Sequence, residues 1–402
     1  MVSFFSWLEY SEAERRKVLD VVHAFGDRDT RDELGIGTVR DAYADLLAPG
    51  TSTIQTRLKY FLFIPWLYQR LEKRVHSKSG FGKHEIANLI RNEEVRLINV
   101  LADSEDPDGT IGIDARHTLK RLPSSIYWTG MRSWGLRQFS GSQDQYHHVL
   151  TRYFRDKKDT KATGNWHPGL PQAPAEFPFA ASFRLSKGES EYLRSRVLQK
   201  AGETMLAFLF DQASPSDSIE FPWQHPQFGE MPEKLQDTIE HARNFSEVIH
   251  GAALLYNKML AHKANNEELV DRYDLALNEW KELIAEREHI LHDWNIAGFW
   301  DNAYTTNPRI PARTKLFIDS WREIALNGTV FRERASNSKA QGLIRERERF
   351  LKRGQARLYN QRALELWGGA AGTSRLDFRW KTVTRYLKDL QNQAFTQETG
   401  NA

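Results

Sequence analysis

Helical periodicity dominates this chain, and it leaves packed helices as the main way to bury its apolar residues. Leu193, Val197, Ala201, Met205 and Leu209 follow one another at intervals of four, as one stripe. Ile86, Leu89, Ile90, Leu97 and Ile98 mark a second such face between residues 83 and 101. Two capping boxes, Ser11-x-x-Glu14 and Ser186-x-x-Glu189, offer side chains to the unpaired amides of a first helical turn. Helices are therefore expected from Ser11, over about 39–47, 52–75 and 83–101, from Ser186, and over about 232–262, 266–292 and 311–326. Pro65 is expected to kink or interrupt the third of these. Strand signals are confined to Thr110–Ile113, ahead of a short helix and Pro123–Trp128. The expected class is mainly α and multi-helical, with at most a small winged-helix-like β element within 83–139.

The chain has 402 residues, and chains beyond about 250–300 residues usually divide. Residues 155–180 lose the helical period and carry prolines at 168, 171, 174 and 178. That stretch predicts an N-terminal helical domain over 1–154, a linker or long loop over 155–182, and a C-terminal helical domain over 183–395. No cysteine is present, which excludes disulfides, thiolate metal sites and cysteine nucleophiles. The opening Met1–Glu9 lacks the basic start of a signal peptide. The most apolar run, Tyr60 to Tyr68, is half the roughly twenty residues that a membrane span needs. A cytoplasmic protein without membrane contact is expected.

Charge is placed unevenly. Between Arg332 and Lys388 there are fifteen basic and five acidic residues, a surplus of ten in a chain whose total is +3. Eleven of the fifteen are arginines, whose planar fork suits phosphate oxygens. Phe350, Tyr359, Trp367, Phe378, Trp380 and Tyr386 are interleaved with them. The mixture predicts a DNA-binding or other polyanion-binding region. Arg345, Arg349, Lys352 and Arg353 recur at three and four, and Arg357 extends the row if the helix passes Gly354. Arg362, Arg375 and Arg379 complete the expected contacts. The competing expectation is a solvated helix face paired with the acidic helix at 267–293.

Other motifs point away from catalysis. Trp367-Gly368-Gly369-Ala370-Ala371-Gly372 lacks the lysine and the preceding strand of a phosphate loop, so a helix end and turn explains it. Asp274 and Glu279-Trp280-Lys281 match the spacing of metal-dependent nucleases, but they fall on one expected helix and do not share a face. His289 and His292 have no visible third ligand. The hydroxyl-rich run from Pro49 to Tyr60 fits helix capping. No catalytic residue, metal site or cofactor is expected.

Three stretches carry a resemblance: Thr30–Gly37 through Pro65-Trp66, Leu122–Trp128, and Arg362–Gly369 through Arg379-Trp380. They resemble an uncharacterised bacterial family, a domain of unknown function, over nearly the whole chain. The resemblance transfers no functional residues. It implies a setting in mobile and anti-phage defence loci, near helicases and phospholipase-D-like nucleases. The expected role is thus a non-enzymatic DNA-binding or scaffold subunit of such a system. The alternatives are a metal-dependent nuclease with a site split across the fold, or a protein adaptor with a basic face.

Overall fold

Ser186 opens its helix as the capping box requires. Its hydroxyl accepts from the Glu189 amide, and the Glu189 carboxylate accepts from the Ser186 amide. In a computed structural model, which describes residues 32–77, 82–153, 165–212, 219–327 and 334–392, most elements are helical. The helix expected at Ser11 lies outside these residues. In chain order the helices are α1 (Gly37–Leu47), α2 (Tyr60–Ser77), α3 (Lys83–Ala102), α4 (Pro123–Ser133) and α5 (Gln143–Tyr153). There follow α6 (Lys187–Ala201), α7 (Met205–Gln212), α8 (Glu233–Lys263), α9 (Glu267–Glu286) and α10 (Glu288–His292). The last are α11 (Ile296–Thr306), α12 (Ala312–Leu326), α13 (Arg334–Lys352), α14 (Gln361–Glu365) and α15 (Trp380–Gln391).

The expected β element is corrected. Thr110–Ile113 forms turns, with Gly109 and Gly112 at φ +80° and +81° on either side of a backbone that a strand cannot follow. Pro123–Trp128 is the start of α4, where proline suits the first helical turn. Among the described residues the β pairing is one isolated bridge, Arg137 with Trp166. The helix expected from Ser52 begins only at Tyr60. The backbone before it is claimed by side chains: Tyr127 Oη accepts from the Thr56 and Arg57 amides, and Asp389 accepts from Leu58. Helix α2 runs on through Pro65.

The chain forms two compact units, each from separated segments. Unit 1 combines residues 1–43 with 237–378, and unit 2 combines 44–236 with 379–402. Residues 165–182, expected in a linker, lie within unit 2. There Trp66 donates to the Pro171 carbonyl (2.7 Å), Arg70 donates to that of Phe177 (2.9 Å), and the Phe177 ring stacks on Phe63. The core of unit 2 gathers Phe61, Trp134, Tyr127 and Tyr386 around one another. Rings at these spacings add to their burial through offset and edge-on contacts. Unit 1 is built around α8, whose Gly251 admits the Trp280 ring from α9, while Trp280 Nε1 donates to the Glu247 carbonyl.

Candidate nucleic-acid interface

Helix α13 sorts its charges by helical period. Ala340, Ile344, Arg347 and Glu348 fall on its buried side, and Arg345, Glu346 and Arg349 on its exposed side. Arg347 is a structural cation. Its guanidinium donates to the carbonyls of Leu34 (2.8 Å), Gly35 (3.0 Å) and Arg313 (3.2 Å) and to the Thr314 hydroxyl (2.9 Å). Glu348, fully buried, accepts from Tyr256 Oη (2.6 Å) and from the Arg357 and Leu358 amides. A buried carboxylate with three donors is kept in place by those bonds.

These partners divide the eight residues expected to grip phosphate. Lys352 pairs with Glu33 and Glu348 and donates to Tyr256 Oη. Arg357 is buried with its guanidinium 3.2 Å from Glu33. Arg375 pairs with buried Glu247 at 3.1 Å. Arg379 pairs with Asp45 at 2.6 Å and donates to the Thr51 carbonyl. The helix does not pass Gly354, so Arg357 does not extend the row. Helix α13 ends at Lys352, Arg353 turns at φ +49°, and the chain folds back to bury Arg357. Arg379 lies in unit 2, whereas the other seven lie in unit 1. Four of the eight, Lys352, Arg357, Arg375 and Arg379, are thus held by carboxylates.

Arg345, Arg349, Arg353 and Arg362 remain exposed. Arg345 donates to Gln341 within its own helix, and Arg349 lies over the exposed Tyr359 ring, 5.9 Å from its centre. Phe350, 48% exposed, carries Arg313 over its face at 4.3 Å. The end of α13 and the turn after it thus expose Arg345, Arg349 and Arg353, with Arg349 over Tyr359 and Arg313 of α12 over Phe350. Sequence reading missed Arg313, because nothing local links it to residues so far along the chain.

The remaining motifs have structural roles. Buried Asn257 binds both the amide and the carbonyl of Ala371 and accepts from Trp367 Nε1. Tyr273 donates to the Gly369 carbonyl. The glycine-rich turn is thereby fastened to α8 and α9, with its Ala371 amide turned inward. Asp274 pairs with Lys258, and exposed His292 sits near Glu288. Among the described residues no group of three His, Asp or Glu side chains is placed to hold a metal ion. No described helix is long and apolar enough to cross a membrane.

Comparison with known proteins adds one finding. The model of a family of unknown function, DUF6361, matches residues 2–394, and the chain belongs to that family. No curated protein and no solved structure matches it.

Proposed function

Starting from membership of a family without assigned chemistry, we propose that the protein is a non-enzymatic subunit that binds the phosphate backbone of DNA. The observation that carries this reading is the end of α13 and the turn after it, where Arg345, Arg349, Arg353, Phe350 and Tyr359 are all exposed and Arg349 lies over the Tyr359 ring. Arginine contacts to phosphate are electrostatic and indifferent to sequence, and flanking rings give bases or sugars a face to rest on. The resemblance supports a cytoplasmic setting in a bacterial anti-phage defence system, with helicase or nuclease subunits as neighbours. A separate observation in unit 1 favours a protein partner. Leu366 is 83% exposed and Leu316 64%, and arginine with aromatic rings is a common composition of interface centres.

Replacement of Arg349 and Arg353 by alanine tests the reading. Log affinity falls with log salt by roughly 0.9 per duplex phosphate neutralised. The double variant is expected to bind unrelated duplexes more weakly by a common factor and to lose about two units of salt slope. Its melting temperature should hold, because exposed charges contribute about 0–1 kcal/mol each. An unchanged slope would remove the phosphate reading and leave the protein-partner reading.

A further inference from the structure

A second concentration of positive charge lies in unit 2, outside the basic region that the sequence advertises. Helix α4 ends at Ser133, and the chain turns at Gly135 with φ +68°. A side chain at Gly135 would meet the Arg196 guanidinium at 2.5 Å and the Lys200 stem at 2.9 Å. Glycine there lets the end of α6 close over the turn. The closure leaves a cavity of about 780 Å³ whose lining includes Arg132, Gln138, His167, Arg196, Gln199 and Lys200. Ligand cavities span about 300–1,000 Å³, and most have largely apolar walls. This one is walled by donors and cations.

Arg196 is the centre of the arrangement. It is 5% exposed, and its guanidinium is aimed by the carbonyls of Trp134 (3.2 Å) and Gly135 (3.5 Å) and by Gln199 (2.7 Å). His167 Nε2 lies 3.1 Å from the same guanidinium, and its backbone amide is fixed to the Leu136 carbonyl. Arg132 donates to the Gln138 carbonyl at 2.7 Å and stands exposed at the rim with Lys200. Arg137 does not line the cavity: it is buried over the Trp128 ring, donates to the Trp128 and Gly141 carbonyls, and is pushed down to about 10 by burial and the Arg132 charge. Among the described residues no carboxylate is paired with Arg132, Arg137, Arg196 or Lys200. Arg196 is held by the Trp134 and Gly135 carbonyls and Arg137 by those of Trp128 and Gly141, so dipoles satisfy their hydrogen bonds while their charge meets no counter-charge. Arg347 is likewise held by carbonyls, whereas Arg57 and Arg357 each face a carboxylate.

We infer that this cavity is a binding site for a phosphate group, with Arg196 as its fixed fork and Arg132 and Lys200 as its rim. A tetrahedral dianion supplies the missing charge and accepts from the guanidinium and ammonium groups. The volume exceeds that of a single phosphate, so the group is carried on a larger molecule. A free nucleotide and the phosphorylated end of a nucleic-acid strand present the same chemistry here. The site does not depend on the α13 face, which belongs to unit 1.

His167 gives the site a proton signature. Burial, and then the charges of Arg196 and Lys200, hold its imidazole below the ordinary value, and Tyr192 faces the ring from α6 at 5.7 Å. A bound anion opposes those two charges and so favours the imidazolium.

Calorimetric titration with pyrophosphate at fixed ionic strength tests the inference, with Lys200→Glu and Arg132→Gln as exposed-site variants that leave the Arg196 brace intact. Saturable binding is expected in the wild type, weakened at least tenfold in each variant at an unchanged melting temperature. A 5′-phosphorylated oligonucleotide that displaces pyrophosphate when its 5′-hydroxyl twin does not assigns the phosphate to a strand end. Equal displacement by neither, with binding of a nucleoside triphosphate, assigns it to a free nucleotide. Absence of saturable binding, or equal affinity in wild type and both variants, would overturn the site.

Discussion

Glu94 shows how burial alone can reset a side chain. It lies inside unit 2, accepting from the Ser124 amide (2.8 Å) and hydroxyl (2.6 Å). Gln143 continues that network by donating to Ser124 and to Tyr68 Oη, which lies 3.0 Å from His147. Loss of water pushes the Glu94 carboxyl up to about 7, against the opposing pull of its Ser124 bonds, and burial does the same to Glu72. The folded state therefore holds these protons to near neutrality, whereas an unfolded chain releases them near the ordinary 4.5. Between those values the folded state binds more protons, so stability falls as pH rises through that window. Melting temperature is expected to drop by several degrees between pH 5 and pH 8. Glu94→Gln should flatten the slope, and a Gln variant as steep as the wild type would show that other groups set it.

Helix-to-helix contact in unit 1 makes an equally specific demand. Gly251 sits within α8, where alanine ordinarily stabilises a helix by about 1 kcal/mol. A Cβ there would stand 2.3 Å from the Trp280 ring, which is itself 3% exposed and anchored through Nε1 to the Glu247 carbonyl. Overpacking of a filled core typically costs about 1–3 kcal/mol. Gly251→Ala is thus expected to destabilise, by up to about 2 kcal/mol net in denaturant titration, and a stabilised variant would mean that the ring moves freely.

At the same scale, periodicity made α3, α8, α9 and α12 legible, and the Ser186 box marked the start of α6. The site was legible only in part. The spacing of Arg345 and Arg349 revealed their shared face, but sequence carries no sign that Glu33 would claim Lys352 and Arg357 from some three hundred residues away. The phosphate cavity was hidden for a related reason. Arg132, His167 and Arg196 are isolated basic residues in sequence, and only the turn at Gly135 brings them together.

The two units of the molecule are each assembled from distant parts of the chain, and ion pairs help to seal the joins within each unit. In unit 2, Arg57 donates to Asp389 (2.8 Å) and also pairs with Asp106, while Asp389 accepts from the Leu58 amide. Asp389 is buried, which pushes its carboxyl up to about 6 even beside the Arg57 charge. Removal of one member of a buried pair strands the other, at about 3–5 kcal/mol. Asp389→Ala is expected to lower stability by that amount, whereas Lys187→Ala, which breaks an exposed pair, should be close to neutral. Equal effects of the two would show that the Arg57 pair is not a seal.

The discontinuity of unit 2 has a further consequence at the ribosome. Translation delivers residues 44–236 first, then the whole second segment of unit 1, and only afterwards α15 with Asp389. Until then Arg57 and the Leu58 amide have no acceptor from α15, and the face made by Phe61 and Trp134 lacks Tyr386. A nascent chain therefore carries unit 2 without α15 while residues 237–378 are being made. The order of synthesis thus makes α15 the closing piece of unit 2.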